Sequence, residues 1–313
     1  MRLRVACCRW SPEPESTLNA ERYTVEHDTR YVYRTPVAQS WQLAHLTPRA
    51  LPWQRVLSHE LRIEPRPDER RDALDSFGNA VTHFSLHAAH DSLDVAMRCV
   101  VEVGERPAGT RLAPPIPWET VRDALRHEPA QDGLLPARMT EPTRLVPSFD
   151  AAGLYAAESF GRGRDWFDAV SDLMHRIHAE FEFEPGSTTV STSIDEVLYQ
   201  RSGVCQDFAH LMLGCLRGHG LPARYMSGYL LTDPPPGRPR LLGADASHAW
   251  IAAYAPQHGW IEFDPTNDRI ADQRYITLAW GADFADAVPL RGVLLGGRSQ
   301  RMSVEVSVIP EST

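Results

Sequence analysis

Residues 201–208 read Arg-Ser-Gly-Val-Cys-Gln-Asp-Phe and open the predicted helix that decides the fold. After Cys205, apolar residues recur at the three- and four-residue spacing of one helix face. They are Phe208, Leu211, Met212, Cys215 and Leu216. Gly218, Gly220 and Pro222 then end the helix. The pattern therefore predicts that Cys205 lies in the first helical turn.

The predicted position of Cys205 has a chemical consequence. Backbone N–H groups in the first turn have no acceptor within the helix, and the helix dipole favours negative charge there. This environment favours the nucleophilic thiolate, and the same N–H groups could hold a developing oxyanion. The commoner alternative for a cysteine is a buried, small apolar residue. Cys215, in the middle of the apolar face, fits that alternative.

A predicted hairpin follows, with strands at 246–254 and 260–264 joined by a turn at 255–259. If Tyr254 pairs with His258, His248 lies directly opposite Asp264 on the same face of the sheet. A register slipped by two residues makes the pair diagonal neighbours, which are still within side-chain reach. The carboxylate would then orient the imidazole toward the thiol, as a Cys-His-Asp triad requires.

Four runs of sequence resemble the bacterial transglutaminase-like superfamily, at residues 203–210, 222–229, 247–250 and 260–267. The resemblance covers about residues 160–290. It implies a papain-like arrangement in which Cys205 is the nucleophile, His248 the general base and acid, and Asp264 the orienting group. Members include transglutaminases, peptidases and amidases, so the fold does not select the acceptor.

The N-terminal part resembles the β-domain that precedes this core in bacterial members, through residues 23–33 and 75–79. Bacterial relatives are also associated with ATP-grasp-type partners, which by resemblance alone implies a peptide-modification system. The expected fold class is α+β. A papain- or transglutaminase-like core, with helices packed on an antiparallel sheet, follows an all-β sandwich-like domain.

Five segments are expected along the chain. Residues 1–20 read as a flexible tail, 21–105 as the N-terminal β-domain and 106–160 as a proline-rich connector with short helices. Residues 161–290 form the catalytic domain, and 291–313 supply a last strand that could join either sheet. Within the β-domain the pattern predicts strands at 23–33, 54–64, 81–87 and 93–103.

The composition narrows the function classes. The 313-residue chain is 42% hydrophobic and carries a net charge of −9 without a basic run, which argues against a nucleic-acid partner. No segment reaches the roughly 18 apolar residues of a membrane span, and the first ten residues do not read as a secretory signal. Five cysteines without a CxxC pair favour neither a disulfide scaffold nor a zinc site. We therefore expect a cytoplasmic enzyme that needs no metal or cofactor.

The sequence favours a cysteine-dependent enzyme that cleaves an amide or peptide bond through a thioester on Cys205. Hydrolysis is preferred, since no feature indicates the water-excluding tunnel that protein-glutamine crosslinking needs. A catalytically silent peptide-binding module is the alternative from another class, and an acyl-CoA-dependent acetyltransferase is a third. The substrate is a peptide or protein of unspecified sequence, and the oligomeric state is open.

Overall fold

The computed structural model describes residues 20–106, 114–127, 134–148, 150–189, 192–232 and 247–311. Except for residue 20, the predicted tail at 1–20 lies outside the described residues, as do parts of the predicted connector.

Fourteen strands and seven helices are assigned within the described residues. The strands are β1 (Glu21–Ala44), β2 (Gln54–Glu64), β3 (Glu69–Leu74), β4 (Ala80–Leu86), β5 (His90–Val103), β6 (Glu182–Phe183), β7 (Ser202–Gly203), β8 (Ala223–Leu230), β9 (Ser247–Ala255), β10 (Gly259–Asp264), β11 (Arg269–Ile270), β12 (Tyr275–Gly281), β13 (Leu290–Gly296) and β14 (Gln300–Pro310). The helices are α1 (Trp118–His127), α2 (Leu134–Arg138), α3 (Asp150–Ala156), α4 (Trp166–Glu180), α5 (Ile194–Gln200), α6 (Cys205–Gly218) and α7 (Phe284–Ala287).

Strands β1–β5, β13 and β14 form one antiparallel sheet, which we call the β-domain. The long strand β1 organises it. Its first half lies between β5 and β14, and its second half lies between β4 and β13. The C-terminal strands, whose sheet the sequence left open, therefore join the β-domain. The four strands expected from the sequence are present, and β3 is an additional one.

The alternation of buried and more exposed residues explains why these segments form strands. Every second residue of β5 is buried, from Leu93 to Val103, while its neighbours face outward. β3 shows no such alternation, because its sequence, Glu-Arg-Arg-Asp-Ala-Leu, is mostly exposed. Its pairing with β4 holds it in the sheet, so the sequence alone gives little sign of it.

The core consists of helices α4, α5 and α6 packed with a five-stranded antiparallel sheet of order β11-β10-β9-β8-β12. The apolar face predicted for α6 is fully buried. The apolar residues of α4 are buried as well, namely Trp166, Ala169, Val170, Leu173, Met174 and Ile177. Ser193 and Glu196 form a reciprocal capping box at the start of α5. Together with the β-domain, this arrangement confirms the expected α+β class.

The β-domain packs against β12, the edge strand of the core sheet. The Gln54 side chain donates to the Thr277 carbonyl and accepts from its N–H, each at 2.8 Å. The Asn79 side chain makes the equivalent pair with Trp280, at 2.7 and 3.0 Å. These amide side chains satisfy strand-edge groups that would otherwise be buried without partners. The contact places β1 and β14 next to the start of α6.

Candidate active site

Cys205 is the first residue of α6 and is partly exposed. The start of the helix is held by Asp207, whose carboxylate accepts from the Val204 N–H at 2.8 Å and from the Thr188 hydroxyl at 2.6 Å. Burial raises the pKa of Asp207, although these two hydrogen bonds oppose the effect. Gly203 is required here, because a Cβ at that position would lie 2.9 Å from the Asp207 carboxylate oxygen. Asp207 therefore shapes the turn that presents the thiol.

His248 and Asp264 come together in the slipped register. Trp260 pairs with Tyr254 and Phe263 with Ile251, so His248 and Asp264 are diagonal neighbours rather than direct partners. The Nε2 atom of His248 donates to Oδ2 of Asp264 at 2.7 Å. Its other ring nitrogen is left for the Cys205 thiol, with which the imidazole also makes a hydrogen bond. The structure thus brings the three predicted site residues into one chain of contacts.

Asp264 is fully buried and accepts from five donors. Its Oδ1 accepts backbone N–H bonds from Thr266 at 2.9 Å and Asn267 at 3.3 Å. Besides His248, its Oδ2 accepts from the Asn267 amide and the Tyr275 hydroxyl, both at 2.7 Å. This set compensates for removing the carboxylate from water and fixes its orientation. Sequence reasoning did not assign Tyr275 or Asn267 to the site.

Burial, charge and hydrogen bonding together shift the pKa values of His248 and Asp264. Desolvation by itself lowers the pKa of His248, but the Asp264 carboxylate and the hydrogen bonds to Asp264 and Cys205 raise it to about 10. For Asp264, burial raises the pKa, while the His248 charge and the hydrogen bonds from His248, Asn267 and Tyr275 produce a net lowering. The site therefore favours an ionised carboxylate beside an imidazolium, in position to stabilise a thiolate.

A second layer of side chains supports the imidazole. The Trp250 ring lies nearly parallel to His248, with centroids 5.9 Å apart. Its Nε1 donates to the buried Glu262 carboxylate at 2.7 Å, and Arg106 lies 3.7 Å from the same carboxylate. Glu262 and Asp264 are two residues apart on β10 and point to the same face of the sheet. This spacing was visible in the sequence, although the role of Glu262 was not predicted.

A cavity of about 300 Å³ opens over Cys205 and His248. The start of α6, strand β9 and the α7–β13 segment form one side. The opposite side comes from β1 and β14 of the β-domain, through residues that include His27, Tyr31, Met302 and Val304. Local sequence patterns could not reveal this wall, because about 175 residues separate its β1 part from Cys205 along the chain and about 100 residues separate its β14 part.

Three further observations concern only the described part of the chain. No helix there is long and apolar enough to cross a membrane. No group of three or more His, Cys, Asp or Glu side chains is arranged to hold a metal ion among those residues. The cysteines described, Cys99, Cys205 and Cys215, are free thiols.

Comparison with known sequences gives two family matches. Residues 23–102 match the bacterial transglutaminase-like N-terminal region, and residues 155–265 match the transglutaminase-like superfamily. An uncharacterised protein of Mycobacterium tuberculosis is 40% identical over 296 residues, which cover 92% of this chain and 93% of the relative. A protein-glutamine gamma-glutamyltransferase of Pseudomonas aeruginosa is 29% identical over 145 residues, covering 39% of this chain and 22% of that protein.

Among solved structures, a candidate cysteine protease from Cytophaga hutchinsonii superposes with a TM-score of 0.74. The two chains are 21% identical, and the match covers 95% of this chain and 93% of the other. At this identity the likeness concerns the fold, which extends over both the β-domain and the core. The resemblance noted in the sequence is confirmed: the chain belongs to the transglutaminase-like superfamily, and its core follows the bacterial transglutaminase-like N-terminal region.

Proposed function

We propose that the protein is a cysteine-dependent acyl-transfer enzyme that cleaves an amide bond in a peptide or protein through a thioester on Cys205. One observation carries the proposal. A partly exposed thiol at a helix start interacts with an imidazole held by a buried carboxylate, and the thiol and the imidazole border an open cavity. Nucleophilic catalysis by cysteine requires these parts in this order.

The proposed reaction has two steps, acylation of Cys205 and hydrolysis of the thioester. The Cys205 thiolate attacks the carbonyl carbon, the C–N bond breaks, and the His248 imidazolium gives its proton to the leaving amine. The neutral imidazole then takes a proton from water, whose oxygen attacks the thioester and releases a carboxylic acid and the thiolate. Backbone N–H groups of the first turn of α6 are the proposed donors to the oxyanion.

Hydrolysis is the proposed outcome, because water has access to the thioester. Met302 and Val304, which line the cavity, are 55% and 43% exposed. A crosslinking enzyme must keep water away until an amine arrives. The second candidate is transamidation of glutamine, which the activity named for the Pseudomonas relative supports.

The test uses libraries of glutamine-containing and isopeptide-containing peptides, with and without an added primary amine. Mass spectrometry then distinguishes the two fates of the acyl group. Hydrolysis gives the free acid in both conditions, while exclusive formation of the amine adduct would contradict the proposed outcome. Cys205→Ala protein serves as the control for turnover that does not involve this thiol.

A separate experiment tests the alternative that the protein is a catalytically silent peptide-binding module. Iodoacetamide should alkylate Cys205 faster than it alkylates free cysteine at pH 7, and Cys205→Ala should abolish turnover. Burial raises the pKa of Cys99 to about 12 and also raises that of Cys215, so neither should compete. Alkylation of Cys205 no faster than that of free cysteine would favour the silent module.

A cytoplasmic location and an ATP-grasp-type partner are further parts of the proposal. The free thiols support a reducing compartment, since secreted proteins of this size often carry disulfides. Fractionation of cells that express the tagged protein tests the location. Crosslinking in cells followed by mass spectrometry tests the partner. Recovery of the protein in the periplasm would overturn the proposed location. Crosslinked proteins that include no ATP-grasp-type ligase would overturn the proposed partner.

A further inference from the structure

The wall that the β-domain contributes to the cavity is one continuous patch. Tyr31 pairs with Met302 and Thr29 pairs with Val304 across β1 and β14. Residues two apart on one strand point to the same face, so these four side chains lie together opposite Cys205. Met302 and Val304 are exposed despite being apolar. Both side chains line the same cavity as Cys205.

Apart from the Cys205–His248 pair, the side chains that line the cavity are uncharged, and those of the β-domain wall are mostly apolar. Among the described residues that line the cavity there is no Lys, Arg, Asp or Glu. His27 also lines it, but burial lowers its pKa to about 4, so the ring is neutral at pH 7. A charged group placed against the β-domain wall would lose water without gaining an opposite charge from that wall, whereas an apolar group would cover Met302 and Val304.

The hydrogen bonds of His27 keep the base of the wall fixed. Its Nδ1 lies 2.7 Å from the Tyr229 hydroxyl of the core, and its Nε2 lies 3.0 Å from the Thr29 hydroxyl. Both polar edges of the ring are therefore engaged within the protein. The wall is anchored to β8, the strand beside the one that carries His248, which sets its distance from the reacting atoms.

We propose that the patch Thr29–Tyr31–Met302–Val304 is a specificity subsite for an apolar side chain that flanks the attacked carbonyl. The substrate class is then peptides with an aliphatic or aromatic residue at that position, and acidic residues are rejected. The cavity of about 300 Å³ is at the lower end of the range for small-ligand pockets and has room for a large side chain. This inference rests on the proposed thioester chemistry and adds a role for the β-domain.

The test uses p-nitrophenyl esters of N-acetyl amino acids, whose carbonyl the Cys205 thiolate attacks with release of p-nitrophenolate. We expect kcat/KM for the leucine and phenylalanine esters to exceed that for the glycine ester about 10- to 100-fold. The aspartate ester should react more slowly than the glycine ester. Equal kcat/KM for all four esters would overturn the subsite.

Substitutions in the patch test whether Met302 and Val304 cause the preference for apolar esters. Met302→Asp and, independently, Val304→Asp should each reduce the leucine-to-glycine ratio of kcat/KM at least about 10-fold. Val293→Asp is the matched control, because Val293 is an apolar β-domain residue, 70% exposed, that does not line the cavity. It should leave the ratio unchanged. An unchanged ratio in both folded subsite variants would overturn the assignment.

The ester experiments distinguish a failure of the proposed subsite from a failure of the proposed thioester chemistry. If no ester forms an acyl adduct on Cys205 by mass spectrometry, the thioester chemistry fails and the subsite with it. If every ester acylates Cys205 at the same rate, the chemistry stands and the subsite alone is rejected.

Discussion

Replacing Asp264 by Asn tests how the buried carboxylate works. Its Oδ1 accepts two backbone N–H groups that cannot rotate, so the Asn carbonyl oxygen must take that place. The new NH₂ group then faces Nε2 of His248 and donates to it. The proton of the neutral imidazole therefore moves to the nitrogen that faces Cys205. An imidazole in that tautomer cannot accept the thiol proton.

The expected loss in kcat/KM is about 10- to 10³-fold. Without the carboxylate, the pKa of His248 falls from about 10 to its ordinary value of about 6.5 or below. At pH 7.5 a pKa of 6.5 leaves about one tenth of the imidazole protonated, which sets the lower limit. The drop of about 3.5 units in the pKa of His248 places the upper limit on the order of 10³. The comparable change in a serine triad costs about 10⁴, and we expect a smaller loss here because cysteine enzymes, unlike serine enzymes, ionise their nucleophile before substrate binds.

The assay is turnover of a peptide or ester substrate by wild type, Asp264→Asn and Cys205→Ala, with circular dichroism to establish folding. Cys205→Ala should be inactive. Asp272→Asn is a matched control on the loop after β11, where the carboxylate interacts with the neighbouring Arg274, and it should keep full activity. Full activity in folded Asp264→Asn protein would remove Asp264 from the mechanism.

Two predictions concern stability. Gly228→Ala should lower the free energy of unfolding by about 3 kcal/mol or more, because its Cβ would lie 1.9 Å from the Ile276 carbonyl oxygen. Gly153→Ala, where nothing lies within 4 Å of the added Cβ, should be neutral or stabilising in the same denaturant titration. Burial lowers the pKa of His27 and of His210 to about 4, so the unfolded state binds more protons between about pH 4 and 6.5. Stability should therefore fall as pH decreases through that window, by up to about 3 kcal/mol for each residue. Urea titrations of His27→Gln should show a shallower dependence on pH, and an unchanged dependence would contradict the assignment.

The sequence predicted that Cys205, His248 and Asp264 lie together, because each of the three residues has a local signal. The apolar face of α6 places Cys205 in the first turn, and the hairpin places His248 near Asp264 in either register. The register itself depends on the turn, where Gly259 adopts a positive φ and pairs with Ala255. That shift of two residues could not be read from the alternation, because both registers bury the same face.

The surroundings of the site were harder to predict, because they depend on contacts far apart in sequence. Tyr275 lies on β12, an apolar strand without polar alternation, and its hydroxyl reaches Asp264 only through the sheet order. The β-domain wall near Met302 depends on β14 pairing with β1, although the sequence left the sheet of that strand open. The buried amide of Gln54 likewise has a partner 223 residues away.

The most direct test of the account is to find the covalent intermediate on Cys205. Enzyme mixed with the N-acetyl-leucine p-nitrophenyl ester is quenched in acid within seconds, digested and analysed by mass spectrometry. We predict a mass increase equal to one acyl group on the peptide that contains Cys205, its absence in Cys205→Ala protein, and its loss on treatment with hydroxylamine. An unmodified Cys205 during measurable turnover, or an acyl group carried by another residue, would contradict the thioester mechanism.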